Sequence, residues 1–226
     1  MTLVKICGVS DVAHARAAAA LGADFIGMVF APSRRQVTLG QAKRITDGLR
    51  AADDHAPPGT DANSVEAALG KRRPLVVGVF ADQDADTINS ICDDVGLDLV
   101  QLSGSEPWEV CAHIHRPIFK CMKVRDGETA EDLMVHIHEG AIVLLDPYVE
   151  GTYGGTGRTL DWKVASEVAK TTTTVLAGGL TPDNIANAVG VVHPWAVDVS
   201  SGVETDGVKD VDKIRAFIAA AKETYE

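Results

Sequence analysis

Short, largely apolar runs recur along this chain, and each is followed by a segment of helical character. The runs are Leu3 to Ile6, Phe25 to Phe30, Leu75 to Phe80, Asp98 to Leu102, Pro117 to Val124, Ile142 to Leu145, Thr174 to Ala177 and Trp195 to Val199. Their length suits strands, and their continuous apolarity suits strands buried on both faces. Capping chemistry marks the helices between them. Ser10 or Asp11 opens a helix over Val12 to Leu21 that Gly22 closes, and a helix over Asp84 to Val95 ends at Gly96. Thr181 caps and Pro182 starts a helix to Val189, and Asp210 to Lys222 is the last. Helices are also expected over Leu39 to Ala51, Glu106 to His113 and Glu128 to Glu139, with a short helical turn at Ser64 to Leu69.

Strand and helix alternate eight times within 226 residues. That pattern predicts an α/β fold, and the count favours a single-domain (β/α)8 TIM barrel over an open sheet. Residues 52–72 interrupt the rhythm. The stretch DDHAPPGTDAN is polar and rich in proline and glycine, so it reads as an exposed insertion in a domain spanning 1–226.

A barrel of this kind puts its chemistry at the C-terminal ends of the strands. Those ends carry Cys7, Phe30, Phe80, Gln101, Lys123, Asp146, Gly178-Gly179 and the run Asp198 to Gly202. The stretch Ile142 to Trp162 is the most suggestive. A carboxylate, Asp146, ends an apolar run, a loop with Gly151, Gly154, Gly155 and Gly157 follows, and Asp161 offers an N-cap. Two readings fit it: a surface turn beside a solvated acid, or an active-site loop whose backbone N–H groups approach an anion.

Charge narrows the partners. The formal net charge is −11, which argues against nucleic acid and against an anionic membrane surface. An anionic ligand would need local positive potential from backbone N–H groups and a few Lys or Arg. No apolar run is long enough to span a bilayer, and the N-terminal residues lack the features of a signal peptide, so a cytoplasmic location is expected. Cys7, Cys92, Cys111 and Cys121 show neither C-x-x-C pairing nor metal-ligand spacing and read as reduced thiols.

An ordered set of short motifs carries a resemblance over nearly the whole chain. It comprises Lys5-Ile6-Cys7-Gly8, Gly27 to Phe30, Ser33-Arg34-Arg35, Gly78-Val79-Phe80 and Val100-Gln101-Leu102. Leu145-Asp146, Gly154 to Gly157 with Asp161-Trp162, Ala177 to Leu180 and Val197 to Glu204 complete it. Together they resemble the phosphoribosylanthranilate isomerases of tryptophan biosynthesis. The resemblance implies an Amadori rearrangement of a phosphosugar substrate by acid–base catalysis, with no cofactor and no metal. It implies Asp146 as the general acid and Cys7 as the general base. Read from the residues alone, a strand-end cysteine such as Cys7 is more commonly an inert buried thiol.

The same resemblance implies Arg35 on the substrate's carboxylate, although Arg34 and Arg35 could exchange roles. A planar guanidinium suits a carboxylate bidentately. Phosphate would lie on backbone N–H groups of Gly154 and Gly155, Gly178 and Gly179, and Ser201 and Gly202. Asp198 either faces the substrate's amino or hydroxyl groups or is a charge-paired barrel residue, partnered by Lys5 or Lys123. Ser103 stands where many members carry a histidine, and no role is assigned to it. The expected assembly is a monomer or a homodimer.

Overall fold

The eight apolar runs lie side by side as a closed parallel barrel, paired in chain order from β1 back to β8. The computed structural model describes residues 1–50, 56–72, 74–149 and 159–223. The strands are β1 (Leu3–Cys7), β2 (Phe25–Val29), β3 (Leu75–Phe80), β4 (Leu99–Leu102), β5 (Ile118–Val124), β6 (Ile142–Pro147), β7 (Thr173–Leu176) and β8 (Ala196–Val199). The helices are α1 (Val12–Ala20), α2 (Leu39–Leu49), α3 (Ala62–Leu69), α4 (Ala85–Val95), α5 (Ala130–Met134), α6 (Trp162–Ala169), α7 (Ile185–Val192) and α8 (Val211–Lys222). Closure pairs Lys5 with Asp198 in the β1–β8 register, across almost the full length of the chain.

Several helices start where their caps say they should. Asp11, Asp84, Asp161 and Asp210 each accept a hydrogen bond from a backbone N–H of the first turn. Other boundaries move. Thr181 does not cap α7; the Asn184 side chain instead accepts from the Thr181 N–H at 2.8 Å, closing a turn that delays the helix to Ile185. It then runs to Val192, past the expected Val189. The segment after β4 is a 3-10 helix, Trp108–His113. The helix after β5 stops at Met134 although its Thr129–Asp132 capping box is complete. What reads as a turn at Ser64 is a two-turn helix, α3, capped by Asp61.

Alternation sends every second residue of a strand into the barrel. Along the inward positions, the chain changes character from base to mouth. The base is apolar: Phe25, Leu75, Leu99, Phe119 and Ile142 fill it, with Trp195 beside the two phenylalanines. Toward the mouth the inward residues become Lys5 and Cys7 of β1, Gln101 of β4, Lys123 of β5, Asp146 of β6 and Asp198 of β8. Helix α3 covers the apolar end. Its Val65 and Leu69 are buried in the same cluster, and Glu66 accepts a hydrogen bond from Trp195 Nε1 at 2.6 Å.

Candidate active site

The mouth of the barrel opens into a cavity of about 370 Å³. Cys7, Arg35, Asp146, Gly178, Gly179, Asp198, Ser201 and Gly202 all line it. The fold therefore collects on one surface residues scattered from the first strand to the last. Gly154 and Gly155 lie outside the described residues. Cys92 and Cys121 are buried thiols elsewhere in the core, and Cys111 is half-buried.

Asp146 is the penultimate residue of β6 and is buried, with one carboxylate oxygen 2.6 Å from Lys123 Nζ. The two side chains lie on adjacent strands in register. Burial pushes the Asp146 carboxyl above the ordinary carboxylate range; Lys123 opposes this and the nearby Asp198 reinforces it. Asp146 thus gives up its proton less readily than a free carboxyl and lies next to a cation able to pair with its carboxylate.

Cys7 ends β1, two residues after Lys5, so both side chains point inward. Lys5 is fully buried and donates to Asp198 Oδ1 at 2.8 Å. Burial works against its charge, but Asp198 and Cys7 together outweigh that and raise its pKa. Gly27 on β2 makes this packing feasible. A Cβ there would come within 3.0 Å of Lys5 Nζ and 3.1 Å of Cys7 Sγ. Burial pushes the Cys7 thiol upward, Asp198 adds to the rise, and Lys5 and Lys209 oppose it. Asp198 is thus the charge-paired barrel residue, with Lys5 as its partner, and it also lines the cavity.

Arg35 is not a free fork. Its Nε and Nη2 donate to the two oxygens of Glu204 at 2.7 and 3.0 Å. One bidentate edge of this cavity-lining side chain is committed within the protein. Gly8, at φ +74°, lets Arg35 pass; a Cβ there would sit 2.5 Å from its Cδ. Arg34, more than half exposed, also pairs with Glu204, at 2.7 Å.

The glycines that line the cavity after β7 and β8 are of two kinds. Gly178 and Gly179 both have positive φ, which glycine adopts without penalty. Gly202 is demanded by contact instead: a Cβ would lie 1.9 Å from the Leu180 carbonyl oxygen. The loops after β7 and β8 can touch only because that side chain is absent.

Residues 50–220 match the family model described as N-(5'-phosphoribosyl)anthranilate (PRA) isomerase. The chain belongs to this family. The PRA isomerase of Roseiflexus castenholzii is 44% identical over 223 residues, covering 97% of this chain and 98% of that protein. The crystal structure of phosphoribosyl anthranilate isomerase from Thermotoga maritima superposes with a TM-score of 0.81 at 33% identity, covering 99% of this chain and all of that one. Another solved isomerase holds reduced 1-(o-carboxyphenylamino)-1-deoxyribulose 5-phosphate; it matches at a TM-score of 0.77 and 32% identity, with 99% of this chain covered and 100% of that one.

Several residues in or behind the cavity wall carry no role in the reading of the sequence. Gln101 and Ser103 line the cavity and hydrogen-bond each other at 2.9 Å. Glu204 and Lys209 lie behind the wall, joined at 2.8 Å. One signal points to Lys209: Asp206-Gly207 marks a hairpin that folds it back.

Proposed function

We propose that this chain converts N-(5'-phosphoribosyl)anthranilate into 1-(2-carboxyphenylamino)-1-deoxyribulose 5-phosphate, with Asp146 as general acid and Cys7 as general base. The observation that supports this most directly is that a protonation-prone carboxyl and a thiol, from β6 and β1, open into one cavity in a member of this family. The substrate is a small phosphosugar, and the step belongs to tryptophan biosynthesis.

The reaction proceeds in two proton transfers. Asp146 donates its proton to the furanose ring oxygen as the bond from the anomeric carbon to that oxygen breaks. The anthranilate nitrogen supplies its lone pair, giving an open-chain iminium. Lys123, 2.6 Å from Asp146, then pairs with the new carboxylate. The Cys7 thiolate takes the proton from the second sugar carbon, and those electrons move toward the iminium nitrogen to give an enolamine. Tautomerisation of the enolamine produces the ketone. Nothing is oxidised or reduced overall, and no metal or cofactor enters the scheme. Lys5 and Lys209 help Cys7 ionise against the cost of burial.

Binding follows the charge pattern. Arg35, steadied by Glu204, presents its remaining N–H groups to the anthranilate carboxylate. Backbone N–H groups of Gly154, Gly155, Gly178, Gly179, Ser201 and Gly202 hold the phosphate, and Asp198 takes a sugar hydroxyl. Lys5, Arg35, Lys123 and Lys209 offset the carboxylates of Asp198, Asp146 and Glu204 around the cavity of this acidic chain. We assign residues 52–72 to an insertion serving the base of the barrel, the enzyme to the cytoplasm, and its assembly to a monomer or homodimer.

The test is turnover of phosphoribosylanthranilate, followed as loss of its fluorescence. A wild-type enzyme without turnover sinks the reading. Full activity in both Cys7→Ala and Asp146→Ala would keep the fold and overturn the mechanism.

A further inference from the structure

Lys209 is an unusual residue to bury. It sits on the return strand of a small hairpin formed by β9 (Glu204–Thr205) and β10 (Val208–Lys209), just after β8. The Asp206-Gly207 turn, with φ of 51° and 80°, has the left-handed geometry of a two-residue hairpin loop. It returns Lys209 to a side-chain exposure of only 4%. A buried ammonium costs free energy unless its donors are used. Here they are used on two parts of the site. The ammonium donates to the Ser200 carbonyl at 2.9 Å and to Glu204 Oε1 at 2.8 Å.

The first bond has a geometric consequence. Ser200 and Ser201 line the cavity, whereas Lys209 does not, so it lies behind the loop. In a planar trans peptide the carbonyl of one residue and the N–H of the next point in opposite directions. With the Ser200 carbonyl drawn back to Lys209, the Ser201 N–H faces the cavity side. The second bond holds the same Glu204 carboxylate that grips Arg35.

We propose that Lys209 is a positioning residue: by anchoring the Ser200 carbonyl and Glu204 together, it aims the Ser201 N–H at the substrate's phosphate and fixes Arg35 for its carboxylate. The proposal rests on the functional reading above. Lys209 touches no reacting atom, so its loss should weaken binding more than it slows the chemical step.

The test compares wild type with Lys209→Met, in full-length protein, by steady-state turnover and by competitive inhibition with inorganic phosphate. Losing a charge-assisted anchor should raise KM and the phosphate inhibition constant about tenfold or more, with kcat within about threefold. An unchanged KM and inhibition constant overturn the proposal, and so does a fall in kcat with KM unchanged. If Lys209→Met does not match the wild-type unfolding profile, Lys209→Gln carries the same test with the same expected rise and the same overturning results. A wild type without turnover counts against the functional reading; a wild type with turnover beside an unaltered variant counts against Lys209 alone.

Discussion

At the base of the barrel, Asp24 and Asp98 occupy equivalent places just before β2 and β4. Each donates its N–H to a carbonyl of the preceding strand, Val4 or Val76, and accepts through its carboxylate from the same residue's N–H at 2.8 Å. Cations finish the arrangement: Lys222 lies 3.1 Å from Asp24, and both Arg50 and Arg72 pair with Asp98. At the mouth, Asp146 and Asp198 are nearly as buried, yet each is given a lysine and an open face on the cavity. The difference teaches what a buried carboxylate is for. Where a backbone N–H and cations enclose it, it staples strands. Where one face is left open to the cavity, as at Asp146, burial is available to shift protonation.

Substitutions at the two ends should therefore fail in different ways. The largest effect belongs to the mouth. Cys7→Ala and Asp146→Asn should each lower kcat by about a hundredfold or more, with thermal unfolding close to wild type. Next comes the base. Asp98→Ala strands Arg50 and Arg72 and should cost about 3 kcal/mol in urea unfolding, with the kcat of the folded enzyme unchanged. A loss of activity without loss of stability in Asp98→Ala would erase the distinction between the ends. Gly202→Ala sits between the classes. Forcing a Cβ against the Leu180 carbonyl should part the two loops and cost about 1–3 kcal/mol, read mainly as a raised KM.

Two smaller effects concern pH. The folded pKa of Asp146 is raised, so its contribution to stability is present below its unfolded pKa and is lost as pH rises through the folded value. Activity that needs its proton falls over the same upper limb, and Asp146→Asn should flatten that part of the stability curve. Glu204 has the opposite sign. Arg35 and Lys209 outweigh burial and lower its pKa from 4.5 to about 2, so its contribution is present above 4.5 and fades as pH falls toward 2. Unfolding of Glu204→Gln across that acid range should show a shallower loss than wild type.

Much of this arrangement was legible in advance. Continuous apolar runs announced the eight strands, because strands buried on both faces have no polar side to show. Cys7, Asp146 and Asp198 could be located because strand ends are where a barrel exposes chemistry. The boundary of α7 was not legible: Thr181-Pro182 carries a good start signal, and the Asn184 side chain outcompetes it locally. Nor was the commitment of Arg35. Its partner Glu204 is 169 positions away, and nothing local to Ser33-Arg34-Arg35 indicates that one edge of the guanidinium is already taken. The part played by α3 was hidden for a similar reason, since its polar surroundings suggested an exposed turn while Val65 and Leu69 close the base.

The sequence by itself determined the strands, their order and the strand-end places of Asp146 and Cys7, because periodicity and position along a strand are local properties. Only the tertiary structure decided the electrostatic partnerships: Lys5 with Asp198, Lys123 with Asp146, and Glu204 between Arg35 and Lys209. Closing the sheet decides which side chains share a strand register and which share a low-dielectric cavity. The energy of a charge depends on those neighbours rather than on its place in the chain.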